Sequence, residues 1–228
     1  EILPVRGNIY ALMGAGANIV ASVGADGVLL VDAGTAAMSE KVVAALAQIQ
    51  REWSARNEPK PPGWGAETRS SVADRHIVAP PKPIRYIVNT GPTGDHVGGN
   101  EKLRNAGRTF TGGNVAGDIR DSGEGAAILA HENALNRLSH VAEGQPAPPA
   151  DALPADTYFT DYYKLSHFFN GEGVRLLHMA KANTDGDSIV YFRGSDVIAL
   201  GDLMATDSYP VFDAEKGGSI NGIIDGLN

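Results

Sequence analysis

The chain contains no cysteine. That absence excludes disulfides, thiolate zinc sites and cysteine nucleophiles together, so any metal must be held by His, Asp or Glu. Basic residues are few as well: 19 Lys and Arg stand against 27 Asp and Glu, a formal net charge of −8, and they form no clusters. A surface for nucleic acid or anionic lipid needs a basic patch to displace counterions, so neither is expected as a partner. A small molecule or a protein remains compatible with this charge. Long apolar runs are also missing. No stretch approaches the ~18 residues of a membrane span, and none resembles the apolar region of a signal peptide. Lack of cysteine does not fix the compartment. The first residue, Glu1 where a Met would start translation, suits an exported chain, periplasmic or secreted, and equally a trimmed one.

With 228 residues and 43% hydrophobic content, the chain can bury a sizeable core as one domain over 1–228. Its first part reads as three strands, "NIYALMG", "ANIVASVG" and "GVLLVDAG", separated by Gly-containing turns in the manner of an antiparallel meander. From Thr35 the period changes. Met38, Val42, Leu46, Ile49 and Trp53 recur every three or four residues, which predicts an amphipathic helix over "TAAMSEKVVAALAQIQREW". Residues 54–83 are proline-rich without a sustained period and are expected to form an inserted surface loop, as is the Pro-rich segment 143–157.

Between those segments lie the strand "IRYIVNT", a helix from about Gly98 to Asn105, the strand "AAILA" and the helix "HENALNRLSHV". Four strands follow in "YYKLSHFF", "GVRLLHMA", "DSIVYFRG" and "DVIALGD". Strand-rich blocks alternating with strand–helix units predict an α+β architecture, sheets with helices on their outer faces. The end, "GGSINGIIDGLN", reads as the opening of a helix with few apolar positions, so a chain continuing past Asn228 is expected.

The candidate chemistry lies in "IVNTGPTGDHVGGN", residues 87–100. Asp95 and His96 adjoin in a Gly-rich turn at a strand end, where neighbouring side chains can offer an oxygen and an imidazole to one cation. Taken alone, the pair is equally a solvated surface feature. Four blocks in order, "GVLLVDAG", "IRYIVNTGPTGDHVGGN", "KANTDGDSIVYF" and "DVIALGDLM", resemble the metallo-β-lactamase superfamily, whose loop motif is T-H-x-H-x-D-H. The resemblance runs from about Gly7 to Asn228 and looks closest to exported metallo-hydrolases carrying "GGNEKL" and "AHEN".

That resemblance implies an αββα sandwich of two mixed sheets with a dinuclear, usually zinc, hydrolytic centre at one edge. It also implies where ligands should fall. The first metal's three histidines correspond here to Gly91, Thr93 and Asn183, which supply no imidazole. The second metal's ligands correspond to Asp95, His96 and the bridging carboxylate Asp202; a further histidine has no counterpart, because the last one in the chain is His178. Asp32 corresponds to the family's strand-end aspartate and is expected to accept hydrogen bonds from the loop backbone.

The expected cofactor is therefore none, or one weakly bound divalent ion such as zinc, manganese or iron at Asp95, His96 and Asp202; two zinc ions are not expected. Without metal, Asp95 and Asp202 would be like charges in one cleft, which predicts a raised carboxyl pKa there. His131 and Glu132 begin a helix and are expected to cap it, while His178 is expected to be a strand residue and Asp185 and Asp187 to order a turn. Three readings stay open. They are a homologue with little or no hydrolytic activity, a mononuclear hydrolase with Asp95 among its catalytic groups, and a non-catalytic binding or assembly subunit that could use Trp53 or Trp64 as an anchor.

Overall fold

The computed structural model describes residues 1–57, 82–109, 124–140, 147–206 and 208–228. Strands β1 (Ile2–Arg6), β2 (Ile9–Ala15), β3 (Ala17–Gly24) and β4 (Gly27–Val31) form the antiparallel meander, in register at Tyr10↔Ala21 and Ala21↔Leu30. Three strands then add in parallel: β5 (Ile84–Val88), β6 (Ala127–His131) and β7 (Asp156–Tyr158) complete a seven-stranded sheet in sequence order. Parallel strands are covered on both faces, and β4 accordingly reads GVLLV with every residue buried. A second, antiparallel sheet has the order β11-β10-β9-β8, from β8 (Tyr162–Lys164), β9 (Val174–Met179), β10 (Asp187–Phe192) and β11 (Val197–Ala199).

Side-chain alternation sorts each strand between two layers. Leu30, Ile87 and Ile128 face the helices, where they meet Val42, Leu46 and Ile49 of α1 (Ser39–Asn57) and Leu103 of α3 (Asn100–Ala106). Their neighbours Leu29, Val31, Val88 and Leu129 face the other way, against Val174, Leu176, Val190 and Phe192 of the second sheet. On the far side of that sheet, Ile223 of α5 (Ile220–Leu227) meets Ile189 and Leu203. The layers thus run helix, sheet, sheet, helix. Among the described residues no helix is long and apolar enough to cross a membrane.

Several boundaries differ from the sequence reading. Strand β1 was not expected, and it is an edge strand carrying Pro4 with mostly exposed side chains, so it lacks the apolar alternation of a half-buried strand. Strand β7 begins inside the segment 143–157 expected to be loop and ends one residue beyond it. Only three residues long, it pairs through its backbone with β6, which proline-rich composition does not reveal. Helix α1 continues to Asn57, beyond the expected start of the 54–83 insertion; residues 58–81, with Trp64, lie outside the described residues. Trp53 is partly buried against the helix-side core.

Phe169, fully buried between the sheets, meets Tyr86 edge-on at 5.6 Å. Phe169→Ala is expected to destabilise the fold by about 3–5 kcal/mol. Urea denaturation should show this as a lower midpoint at unchanged slope.

Candidate functional site

The site is built where β4 and β5 end side by side. Asp32 follows β4 with φ of +67°, a left-handed conformation that Asp adopts more readily than most side chains. Its amide donates to the Val88 carbonyl at 2.7 Å, which closes β4 onto β5. The bend turns the carboxylate inward, where Oδ1 accepts from the Thr90 amide at 2.8 Å and Oδ2 from Thr90 Oγ1 at 2.7 Å. Asp32 thus holds the loop backbone as expected, and Thr90 adds a side-chain bond that sequence reading did not assign. Thr-to-Asp contact across 58 positions has no local signature.

Beyond Thr90 the loop makes a single helical turn, α2 (Gly94–Val97), which carries Asp95 and His96. The two neighbours point to different surroundings. His96 is buried; its Nδ1 lies 2.8 Å from Asp32 Oδ2 and its Nε2 lies 3.0 Å from Asp202 Oδ1. Burial works against a charge on this imidazole, but the Asp32 and Asp202 carboxylates outweigh it and raise the pKa to about 11. His96 is then an imidazolium donating from both nitrogens. Asp95, by contrast, is exposed and lies beside the β2–β3 turn, where a Cβ added to Gly16 would come within 3.2 Å of its Cβ.

Asp202 reaches the site from the turn after β11. Gly201 before it has φ of +56°, and a Cβ there would stand 2.7 Å from Thr90 Oγ1, so this position needs glycine for both conformation and space. The Asp202 side chain is 31% exposed, which makes it the solvent-facing member of the row Asp32, His96, Asp202. Burial would raise its pKa, yet the hydrogen bond and charge of His96 prevail and hold it below the ordinary carboxylate range. The raised carboxyl pKa expected from an Asp95–Asp202 confrontation is therefore corrected for Asp202, because its near neighbour is a cation.

The positions corresponding to the first metal are also placed. Gly91 is buried, and a Cβ added to it would meet only Asp187 Oδ1, at 3.1 Å. Thr93 Oγ1 donates to Asp202 Oδ2 at 3.4 Å, and Asn183 Nδ2 donates to the Val211 carbonyl at 2.9 Å. Asp187 orders its turn as expected, accepting from the Thr184 amide and hydroxyl at 2.7 Å each. Burial, only partly offset by those bonds, pushes its carboxyl up to about 6. Asp185 does something else: it forms a two-pronged ion pair with Arg137 of α4 (Glu132–Ser139), at 2.9 and 3.1 Å. His131 caps α4 by accepting the Asn133 amide at Nδ1, and His178 stands in β9. Among the described residues no three His, Asp or Glu side chains converge as a metal site requires. The resemblance groups Asp95, His96 and Asp202, while only His96 and Asp202 are joined in space.

This architecture agrees with the comparisons. The family model described as Metallo-beta-lactamase superfamily matches residues 14–224, and the chain belongs to that superfamily. Among solved structures, a motif mutant of a metallo-β-lactamase from Cronobacter sakazakii aligns over 100% of this chain and 74% of its own, at 16% identity and a TM-score of 0.59. A metallo-β-lactamase from Pontibacter korlensis covers 100% of this chain and 84% of its own at 13% identity and 0.59. A subclass B3 enzyme from a soil metagenome gives 100%, 74%, 16% and 0.57. At such identities these structures share the fold alone. No curated protein matches.

Asp32→Ala removes the acceptor for Thr90 and leaves His96 beside one carboxylate. A loss of about 3–5 kcal/mol is expected, the cost of breaking a buried charge pair, measurable by denaturant titration. The raised His96 pKa has a defined sign: its contribution to stability is complete below about pH 6.5 and is lost as pH rises through about 11. In the metal-free protein, ring-nitrogen NMR is expected to show both His96 nitrogens protonated at neutral pH.

Proposed function

We propose that this chain is a metallo-β-lactamase-fold hydrolase homologue whose dinuclear centre is degraded, with little or no metal-dependent hydrolytic activity. The observation that carries the reading is the use of the site's donors by one another. His96 Nε2 is committed to Asp202, and the three positions corresponding to the first metal hold Gly91, Thr93 and Asn183. A tetrahedral zinc site needs imidazole, thiolate or carboxylate donors, and these three residues do not fit that ion. The backbone at Gly91 admits a Cβ with only a small adjustment of Asp187.

A second reading is supported by the partial exposure of Asp202 beside His96. One divalent ion replacing the proton between them, with Asp95 swung inward and water completing the shell, would make a weak mononuclear hydrolase; zinc, manganese or iron could serve. Such an ion would polarise a substrate carbonyl or activate a water, and the chain's part would be to hold it. A ligand-binding or assembly role and an exported location are compatible with the first reading.

Elemental analysis of the purified protein, paired with hydrolysis of a simple ester, tests both. The degraded-centre reading expects substoichiometric metal and turnover unaffected by a chelator. Two tightly bound zinc ions per chain would overturn it. Chelator-sensitive turnover lost in Asp202→Ala would favour the mononuclear reading instead. Zinc content is expected to rise to about one ion per chain in a variant combining Gly91→His, Thr93→His and Asn183→His, because three imidazoles complete a shell that water can close.

A further inference from the structure

His131 and His178 stack face to face between β6 and β9, ring centroids 3.5 Å apart and planes 8° from parallel. Their in-plane lone pairs run side by side and do not converge, which excludes one shared cation. Each ring is committed at one nitrogen. His131 Nδ1 accepts the Asn133 amide at 3.2 Å as the cap of α4, and His178 Nε2 donates to the Asp185 carbonyl at 2.8 Å. His131 Nε2 is buried and has no hydrogen-bond partner among the described residues.

We propose that this stacked pair is an acid-sensitive latch that holds the turn 180–187, which carries Asn183, against helix α4. The latch is closed only while both rings are neutral. A proton on His131 must go to Nδ1, where it opposes the Asn133 N–H, sits at the positive end of α4 and faces the second imidazole. Burial and the facing His178 push the His131 pKa down to about 4, in the same direction as the geometry.

The surroundings offer the charged pair little relief. Asp185 has its carboxylate on Arg137, and its carbonyl also takes the Asn133 side-chain amide at 2.9 Å. From β7, Tyr158 meets His131 edge-on at 5.0 Å and gives its hydroxyl to a 2.6 Å bond with Ser188. On β10 the Asp187 carboxylate is turned to Thr184. Asp213 and Lys216 pair with each other at 2.8 Å, and the Lys216 carbonyl accepts the Asp185 amide. Glu132 occupies the first turn of α4. Asp185 is thus the residue through which the stack, α4 and the 213–217 segment are joined.

The test is an amide-proton NMR titration of the metal-free protein from about pH 7.5 to about 3, a range that spans the His131 titration at about 4. The expected result is one shared transition in Asn133, Thr184, Asp185 and Gly186, with the His131 ring protons moving in step. His131→Asn, which keeps a capping side chain, and His178→Gln, which keeps a donor for the Asp185 carbonyl, should each abolish it. Should His131→Asn fail to fold, His178→Gln decides alone, since that ring is only half-buried. The proposal is overturned if these amides stay still across the range, or if their transition survives in His178→Gln. It is equally overturned if the transition disappears only in Asp187→Asn, which would assign it to that carboxyl. The readout does not depend on whether the centre binds metal.

Discussion

The site depends on one buried carboxylate held in a strained backbone bend. Asp32 adopts positive φ at the end of β4, and from there it receives an amide, a hydroxyl and an imidazole. Two of these donors belong to Thr90 and the third to His96, so a single side chain sets where the loop after β5 begins and how its first helical turn is oriented. A carboxylate buried this deeply is tolerable only with its charge answered. His96 answers it, and Asp202 extends the row toward solvent. Positive backbone strain at the strand end is offset by the bonds it makes possible.

The contacts that hold the layers together are distinct from this row. The layers are held by the alternation of Leu29 and Leu30, Val88 and Ile87, and by the second sheet; none of these contacts involves a donor at Gly91, Thr93 or Asn183. A histidine can be absent from those positions without removing a core contact. His96 and Asp202 are different. Linked to Asp32, they serve the fold as an ion-paired hydrogen-bond chain in the metal-free protein. Charge balance alone therefore gives His96 and Asp202 a structural role beside Asp32.

Much of the architecture was legible because it follows from periodicity. The meander, α1 and the paired strands β9 and β10 follow apolar patterns of period two or near 3.6, and burial confirms the faces those patterns select. Strands β1 and β7 escaped because both lie at the edges of the sheet, where backbone pairing alone defines a strand. At the site, the motif placed Asp32, His96 and Asp202 in one neighbourhood. It did not predict that Asp95 would turn outward, that Asp187 would face Gly91, or that Asp185 would join Arg137 and not a turn. Those partners are separated by tens of residues and chosen by how the layers meet.

The sequence by itself determined the inventory: no thiolate, few basic groups, three non-histidine residues where the family motif has imidazole, and an apolar pattern that makes two sheets between helices. These are local or compositional facts, and chain order is enough to state them. Only the tertiary structure decided the pairing. Whether His96 is a neutral ligand or a cation clasped by two carboxylates depends on Asp32 and Asp202 meeting it from β4 and from the turn after β11. Electrostatic interactions act through distance and burial, and neither quantity is written along the chain.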